Sequence, residues 1–407
     1  MTWNILGFLI IAVCGLAINI LITRYFGFAI LGYFNILLVF FLVLSQVSSW
    51  GIQLSVQKFI PQFRKNNILC KQILTSSFFI SLILGMVGAA LLYLLKEVPG
   101  NIMDNTLLKS GFTFIIPGIY FLTINKIFLS FLNGMRFMKT YAFFSALRPF
   151  LMLIFLLVFI GFESNIKYLG LIFTLPECIL LFFLAFNVRK WFIKLNFVRF
   201  RRLLKLQFWY GNKVVLGSIV TNFQSKIDIF ILGFFVSNTM LGVYSFAVFV
   251  ADGFFQIFYV FRTNINPVIT NIYYSRTNLL LQRVVKKSIR NFYKIFVVLG
   301  LVIAVLYPII LVVFKIENHI LSNLLVFYIL LTGIVISSGY IPFQFFFNQI
   351  GKPKEQTKFL VIIFSITIFL NLSFIPFIGI FGAAVAIFLA NLFQMVYLKQ
   401  GIKNNIK

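Results

Sequence analysis

The sequence predicts an all-α integral membrane protein, with about twelve transmembrane helices in two six-helix repeats around a central cavity. Three observations lead there. Hydrophobic residues make up 61% of the 407 residues and charged residues 11%, whereas a soluble domain carries about 25% charged residues. A single water-soluble core stops growing at about 250–300 residues, so this much apolar surface must face lipid. The apolar residues also fall into runs of about 20, the length that crosses a bilayer core, separated by Gly, Pro, Asn and charge.

The runs follow in order. The first, 4–22, lies in "MTWNILGFLIIAVCGLAINIL", which lacks the basic start and small-residue cleavage site of a removable signal and so reads as a spanning helix. Runs at 31–55, 73–95, 108–133, 141–161 and 168–187 complete a first set of six. A polar break over 188–212 follows. Runs at 213–236, 241–261, 292–314, 322–347, 359–377 and 379–398 make a second six. The domain expectation is an N-terminal half over 1–187, a basic cytoplasmic linker over 188–212 and a C-terminal half over 213–407.

Charge fixes the direction. The net charge is +27, and its distribution alternates. Arg64, Lys65 and Lys71 follow span two, and Arg136 and Lys139 follow span four. Arg189, Lys190, Lys194, Arg199, Arg201, Arg202, Lys205 and Lys213 crowd the central break. Arg276, Arg283, Lys286, Lys287, Arg290 and Lys294 follow span eight; Lys352, Lys354 and Lys358 follow span ten; Lys399, Lys403 and Lys407 close the chain. The other loops hold only Arg24, Lys96, Lys109, Lys167 and Lys315. The positive-inside rule then puts both termini in the cytoplasm of a multi-pass protein. The stretch "NVRKWFIKLNFVRFRRLLKL" (187–206) reads as a cytoplasmic amphipathic helix on anionic headgroups, not as a nucleic-acid surface. Cys14, Cys70 and Cys178 are scattered singly and suggest neither a disulfide framework nor a metal cluster. No cofactor is implied.

The two halves repeat each other. "FLNGMRFMKTYAF" (131–143) matches "FFNQIGKPKEQTKF" (346–359), setting Asn133 on Asn348 and Lys139 on Lys354. "RYFGFAILGYFNI" (24–36) matches "LGFFVSNTMLGVYSFA" (232–247), setting Leu31-Gly32 on Leu241-Gly242. "YLGLIFTLPECILLFF" (168–183) matches "IFGAAVAIFLANLFQM" (380–395), setting Gly170 on Gly382. Both halves start on the same side, so the repeat is parallel and its axis runs along the membrane normal.

Charge inside the spans is costly and marks function. Five bases lie within or at the edge of spans: Lys58, Lys126, Arg148, Lys226 and Arg262. Three acids join them: Glu177, Asp228 and Asp252. Lys58 and Arg262 sit near span ends, where a snorkelling role competes with a binding one. For Asp228 and Asp252 the lesser alternative is an interhelical pair that only fixes packing. Lys226 and Asp228, two apart, cannot share a helix face, so at least one must look to another helix or a wet cavity. The surplus of bases suits an anion, with phosphate the natural candidate. Gln53, Gln57, Asn222, Gln224, Gln256, Asn264, Gln344 and Asn348 add polar contacts for a sugar or headgroup.

The wording of the chain resembles the multidrug/oligosaccharidyl-lipid/polysaccharide exporter superfamily, in its bacterial polysaccharide flippase branch. The segments that carry the likeness are "RYFG...LGYFNILLVF" with "GIQLSVQKFIPQ", "FLNGMRFMKTYAF", and "SKIDIFILGFFVSNTMLGVYSFA" followed by "INPVI" (265–269). The resemblance implies flipping of undecaprenyl-pyrophosphate-linked oligosaccharide from the inner to the outer leaflet of the bacterial cytoplasmic (inner) membrane. By position it implies that Asp228 and Lys226 are the charged segment of the seventh span. It also implies that Arg24 is the base closing the first span, and that Lys58 is a base of the second. Two further C-terminal helices expected of peptidoglycan-precursor flippases have no counterpart among the twelve runs, which implies an O-antigen, capsule or similar surface glycan. Substrate-binding bases are then Arg24, Lys58, Lys126, Arg148, Lys226 and Arg262. Glu177, Asp228 and Asp252 pair with them or take a coupling proton or sodium ion. Membrane lipids and the glycan polymerisation machinery are the other expected partners.

Two rival functions are open at this point. A multidrug exporter of the same fold would suit an acid-rich cavity. A membrane polysaccharide polymerase or glycosyltransferase would need a catalytic loop outside the core. The one histidine, His319, stands beside Glu317 in a short loop, and no phosphate-binding glycine loop, nucleophile elbow or metal-ligand spacing occurs.

Overall fold

The computed structural model describes residues 2–102, 106–224, 226–275, 278–316 and 318–405. All regular structure among them is helical: α1 Thr2–Ser48, α2 Ile52–Gln62, α3 Asn67–Leu94, α4 Val98–Ile102, α5 Thr106–Gly134, α6 Met138–Gly161, α7 Leu171–Val188, α8 Phe197–Gln224, α9 Ile227–Phe235, α10 Asn238–Tyr274, α11 Asn278–Val313, α12 Ile320–Ser337, α13 Phe346–Gln349 and α14 Pro353–Asn405, with three short 3-10 turns.

Among the described residues nine helical segments are long and apolar enough to cross a membrane. Two of the nine are each double. α1 kinks at Gly27 (φ 79°, ψ 175°), and α14 kinks at Gly379 (φ 54°, ψ −127°). Glycine adopts such positive-φ backbone without the clash a Cβ would bring. The lengths on either side, 2–26 with 28–48 and 353–377 with 380–405, each reach a bilayer's thickness at 1.5 Å per residue. That makes eleven segments. The twelfth is the expected 213–236, present as the end of α8 followed by α9. The kinks respect the repeat: Gly27 corresponds to Ser237, whose hydroxyl caps α10, and Gly379 corresponds to the 3-10 turn at Ile166–Tyr168.

Several expected boundaries are corrected. The second span does not run to residue 55: α1 stops at Ser48, and Trp50 and Gly51 are both left-handed (φ 46° and 71°) before α2 starts a separate helix. The seventh span is not continuous, because α8 ends at Gln224 and α9 starts at Ile227. Across the break the Lys226 N–H donates to the Phe223 carbonyl (2.9 Å), a tighter three-residue turn in place of the helical bond. The tenth span ends at Ser337, and a 3-10 turn and α13 follow. The basic stretch is not one helix over 187–206. It is a 3-10 turn at Arg189–Trp191, an extended segment, and then α8, which continues straight into the seventh span.

Packing divides the chain into two compact units. One holds residues 1–25 and 33–226, the other 26–32 and 227–407. This division follows the α8/α9 break, and residues 188–212 fall within the first unit. In the first unit α5 is central and packs on α2, α3, α6 and α7. Its face carries Ile124, Ile127, Phe128 and Phe131, all fully buried. In the second unit α10, α12 and α14 pack together around Tyr244, Phe254, Phe258 and Phe327. The repeat-related glycines Gly32 and Gly242 meet there: a Cβ on either would run into backbone of the other's segment. Small residues let helix backbones close in where lipid offers no hydrophobic drive.

Candidate functional site

In the first unit a cavity of about 510 Å³ opens between α1, α2, α5 and α8, with Tyr141 of α6 at its edge. Helical spacing puts Lys126, Ser130 and Asn133 of α5 on one face, and all three line it. Gln53 and Gln57 do the same on α2, and Val214, Gly217 and Ser218 on α8. The left-handed Trp50-Gly51 break aims the two glutamines. It is held from outside by a bond from Trp50 Nε1 to Asn212 Oδ1 (2.5 Å) and by close approach of Gly211 to the Trp50 carbonyl.

Lys126 is the charge of this cavity. Its Nζ donates to Ser45 Oγ (2.9 Å) and to Gln46 Oε1 (3.1 Å), both neutral. Gln46 Nε2 in turn donates to Ser218 Oγ (2.8 Å), so α1 and α8 hold the lysine jointly. Gln53 Oε1 is buried and has no hydrogen-bond partner among the described residues, an acceptor left for a donor entering the cavity.

Arg148 and Glu177 are close enough to Lys126 to act on it electrostatically, but they are spoken for. They form an ion pair across α6 and α7, Arg148 Nε facing Glu177 Oε1. A long hydrogen bond runs from Arg148 Nη2 to Glu177 Oε2 (3.4 Å). Asn125 Nδ2 donates to the same Oε2 at 2.8 Å and to the Glu177 carbonyl at 2.9 Å. Glu177 thus answers Arg148, whereas the hydrogen bonds of the Lys126 amine go to no carboxylate.

The second unit gathers the other acids. Tyr244 Oη donates to Asp228 Oδ2 at 2.6 Å, with both groups buried. Asp228 also lies in the first turn of α9, where the helix dipole favours a carboxylate. Asp252, eight residues beyond Tyr244 on α10, acts electrostatically on the same hydroxyl. Arg262 Nη1 donates to Gln344 Oε1 (2.9 Å) and its guanidinium lies 4.8 Å from the Phe345 ring. Gln256 shares the small pocket there. The α8/α9 break resolves the two-apart problem: Lys226 stands at the break and Asp228 turns to α10.

Not every expected residue joins a site. Arg24 is exposed, and Lys58 is exposed with its Nζ 4.2 Å from the Tyr210 ring centre. The side chains of Asn222 and Asn264, and Glu317, lie outside the described residues. Sequence reasoning missed Ser45, Gln46, Ser218 and Tyr244. Gln46 was legible as an amide inside an apolar run; serine and tyrosine carry no such signal in a chain with 16 Tyr.

A family model described as polysaccharide biosynthesis protein matches residues 1–273. No curated protein matches the sequence. Among solved structures, an inward-facing multidrug resistance MATE family transporter of the MOP superfamily superposes with a TM-score of 0.78 at 14% identity, over 97% of this chain and 95% of that one. The lipid II flippase MurJ, in an inward closed conformation, gives 0.73 at 17% identity over 99% and 88%. A MOP superfamily transporter from Pyrococcus furiosus gives 0.60 at 14% identity over 100% and 95%. These likenesses show the fold.

Proposed function

Because this chain belongs to the polysaccharide biosynthesis protein family, we propose that it is a transporter, not an enzyme. Its cargo is polyprenyl-pyrophosphate-linked oligosaccharide repeat units, flipped from the cytoplasmic to the outer leaflet for O-antigen, capsule or a similar surface glycan. The observation that carries this reading is Lys126: a lysine amine lining a polar cavity, hydrogen-bonded to two neutral groups and so able to meet an anion as its charged form. A pyrophosphate cannot cross hydrocarbon unaided, and such a base gives its charge a partner. The amides of Gln53 and Gln57 and the Tyr141 ring suit the first sugars. Lys226 and Arg262 are further bases for the headgroup. Arg148 enters only when Glu177 releases it. Asp228 with Tyr244, and Asp252, are candidates for a coupling proton or sodium ion. Movement is alternating access by the two six-helix halves, 1–187 and 213–407.

The test is depletion of the protein in its bacterium followed by analysis of polyprenyl-linked lipids and surface glycan. Accumulation of a lipid-linked oligosaccharide on the cytoplasmic leaflet, with loss of surface glycan, is the expected result. A Lys126→Gln copy should restore export about tenfold less well than the unaltered chain, the effect of losing one charge-assisted contact. Unchanged surface glycan with raised drug sensitivity would transfer the chain to the multidrug exporters.

A further inference from the structure

A second cavity, of about 800 Å³, lies in the first unit and shares no lining residue with the Lys126 cavity. Its walls are Thr75, Phe79 and Ile83 of α3 and the segment from Phe192 to Phe200. The α3 residues recur every fourth position, so they form one stripe along the helix. Lys71 begins the same stripe one turn earlier. Along about 18 Å of helix the stripe therefore reads cation, hydroxyl, aromatic, aliphatic. Phe79 and Ile83 are 48% and 60% exposed, an apolar floor open to lipid.

The opposite wall is fixed. Ile193 N donates to Thr75 Oγ1 at 3.2 Å. Phe192 packs edge-on against Phe78 (5.2 Å between centroids), and Trp191 against Phe131 (5.3 Å). These anchors hold the segment whose exposed Lys194 lines the groove. Arg199, Arg201 and Arg202 follow on the exposed first turns of α8. The groove thus has a mainly apolar lining flanked by exposed cations, with Lys71 one turn before its first α3 residue.

We propose that this groove seats one anionic phospholipid of the leaflet that the basic loops face. Its acyl chain lies along Phe79 and Ile83, and its phosphate rests between Lys71 and Lys194. Charge complementarity selects the headgroup, since each lysine near the surface favours an anionic lipid. The size lies within the range of pockets that bury a small molecule, about 300–1,000 Å³. The site is separate from the Lys126 cavity and stands whether or not the transport reading does.

The experiment is native mass spectrometry of the full chain, released from detergent after mixing with equal amounts of phosphatidylglycerol and phosphatidylcholine. The unaltered protein should retain phosphatidylglycerol preferentially. Lys71→Gln and Lys194→Gln should each cut that preference roughly fivefold, and together roughly 25-fold. Ile83→Trp, which fills the groove and leaves the lysines, should reduce retention of both lipids. Equal retention of the two lipids by the unaltered chain would overturn the proposal. So would a preference that survives both lysine substitutions. Displacement of phosphatidylglycerol by an equimolar polyprenyl phosphate would also overturn it, assigning the groove to the tail of the transported lipid.

Discussion

Arg148 and Glu177 carry the sharpest residue-scale consequence. Glu177 is 1% exposed and Arg148 28%, so removing either leaves a largely desolvated charge without its partner. Breaking a buried pair costs about 3–5 kcal/mol, and removing both members costs much less. Glu177→Gln and Arg148→Gln should each lower stability by about 3 kcal/mol, at the bottom of that range because Arg148 keeps some solvent. The double substitution should be far less damaging than the sum, as read from unfolding midpoints in detergent across a double-mutant cycle. Strictly additive losses would mean that the pair is not coupled. Both residues were visible in the sequence as charges inside spans, but their pairing was not, because they lie 29 positions apart on neighbouring helices. Lys126 was visible in the same way. That its partners would be Ser45 and Gln46, rather than a carboxylate, depended on α1 and α5 meeting side by side.

At the scale of elements the breaks matter more than the helices. Hydropathy marks where chain enters lipid, yet it does not report where a helix bends within lipid. The glycine kinks at Gly27 and Gly379 fall where the sequence already marked span boundaries. The breaks after Ser48, after Gln224 and after Ser337 fall inside the apolar runs 31–55, 213–236 and 322–347. Irregular backbone at membrane depth survives where protein or a wet cavity satisfies its polar groups, and that condition is set by neighbours. Helix contact adds a second test. A Cβ on Gly242 would strike the Phe28 carbonyl, whereas one on Gly253 of the same helix meets nothing within 4 Å. Gly242→Ala should therefore destabilise by about 1–3 kcal/mol through overpacking, while Gly253→Ala should be neutral or gain up to about 1 kcal/mol of helix propensity. The comparison is made on thermal unfolding of the two variants in one detergent, and equal midpoints would remove the close contact.

For the whole molecule the consequence is orientation. Basic loops alternate with nearly neutral ones along the sequence, and by the positive-inside rule the expectation is that both termini are cytoplasmic. In a chain freed of Cys14, Cys70 and Cys178, Lys167→Cys should react with an impermeant maleimide from outside intact cells. Asn404→Cys should react only after permeabilisation; the reverse pattern would invert the protein. Fold class, the approximate number of spans and the presence of charge within apolar runs were all set by composition and order along the chain, because each depends on transfer from water to lipid, a property of a local run. Which acid answers which base, which amide is left open in the Lys126 cavity, and how the basic segment folds onto α3 to form a groove were decided only by tertiary structure. Those features need groups from distant parts of the chain within about 3 Å of one another, and no local run specifies its partner.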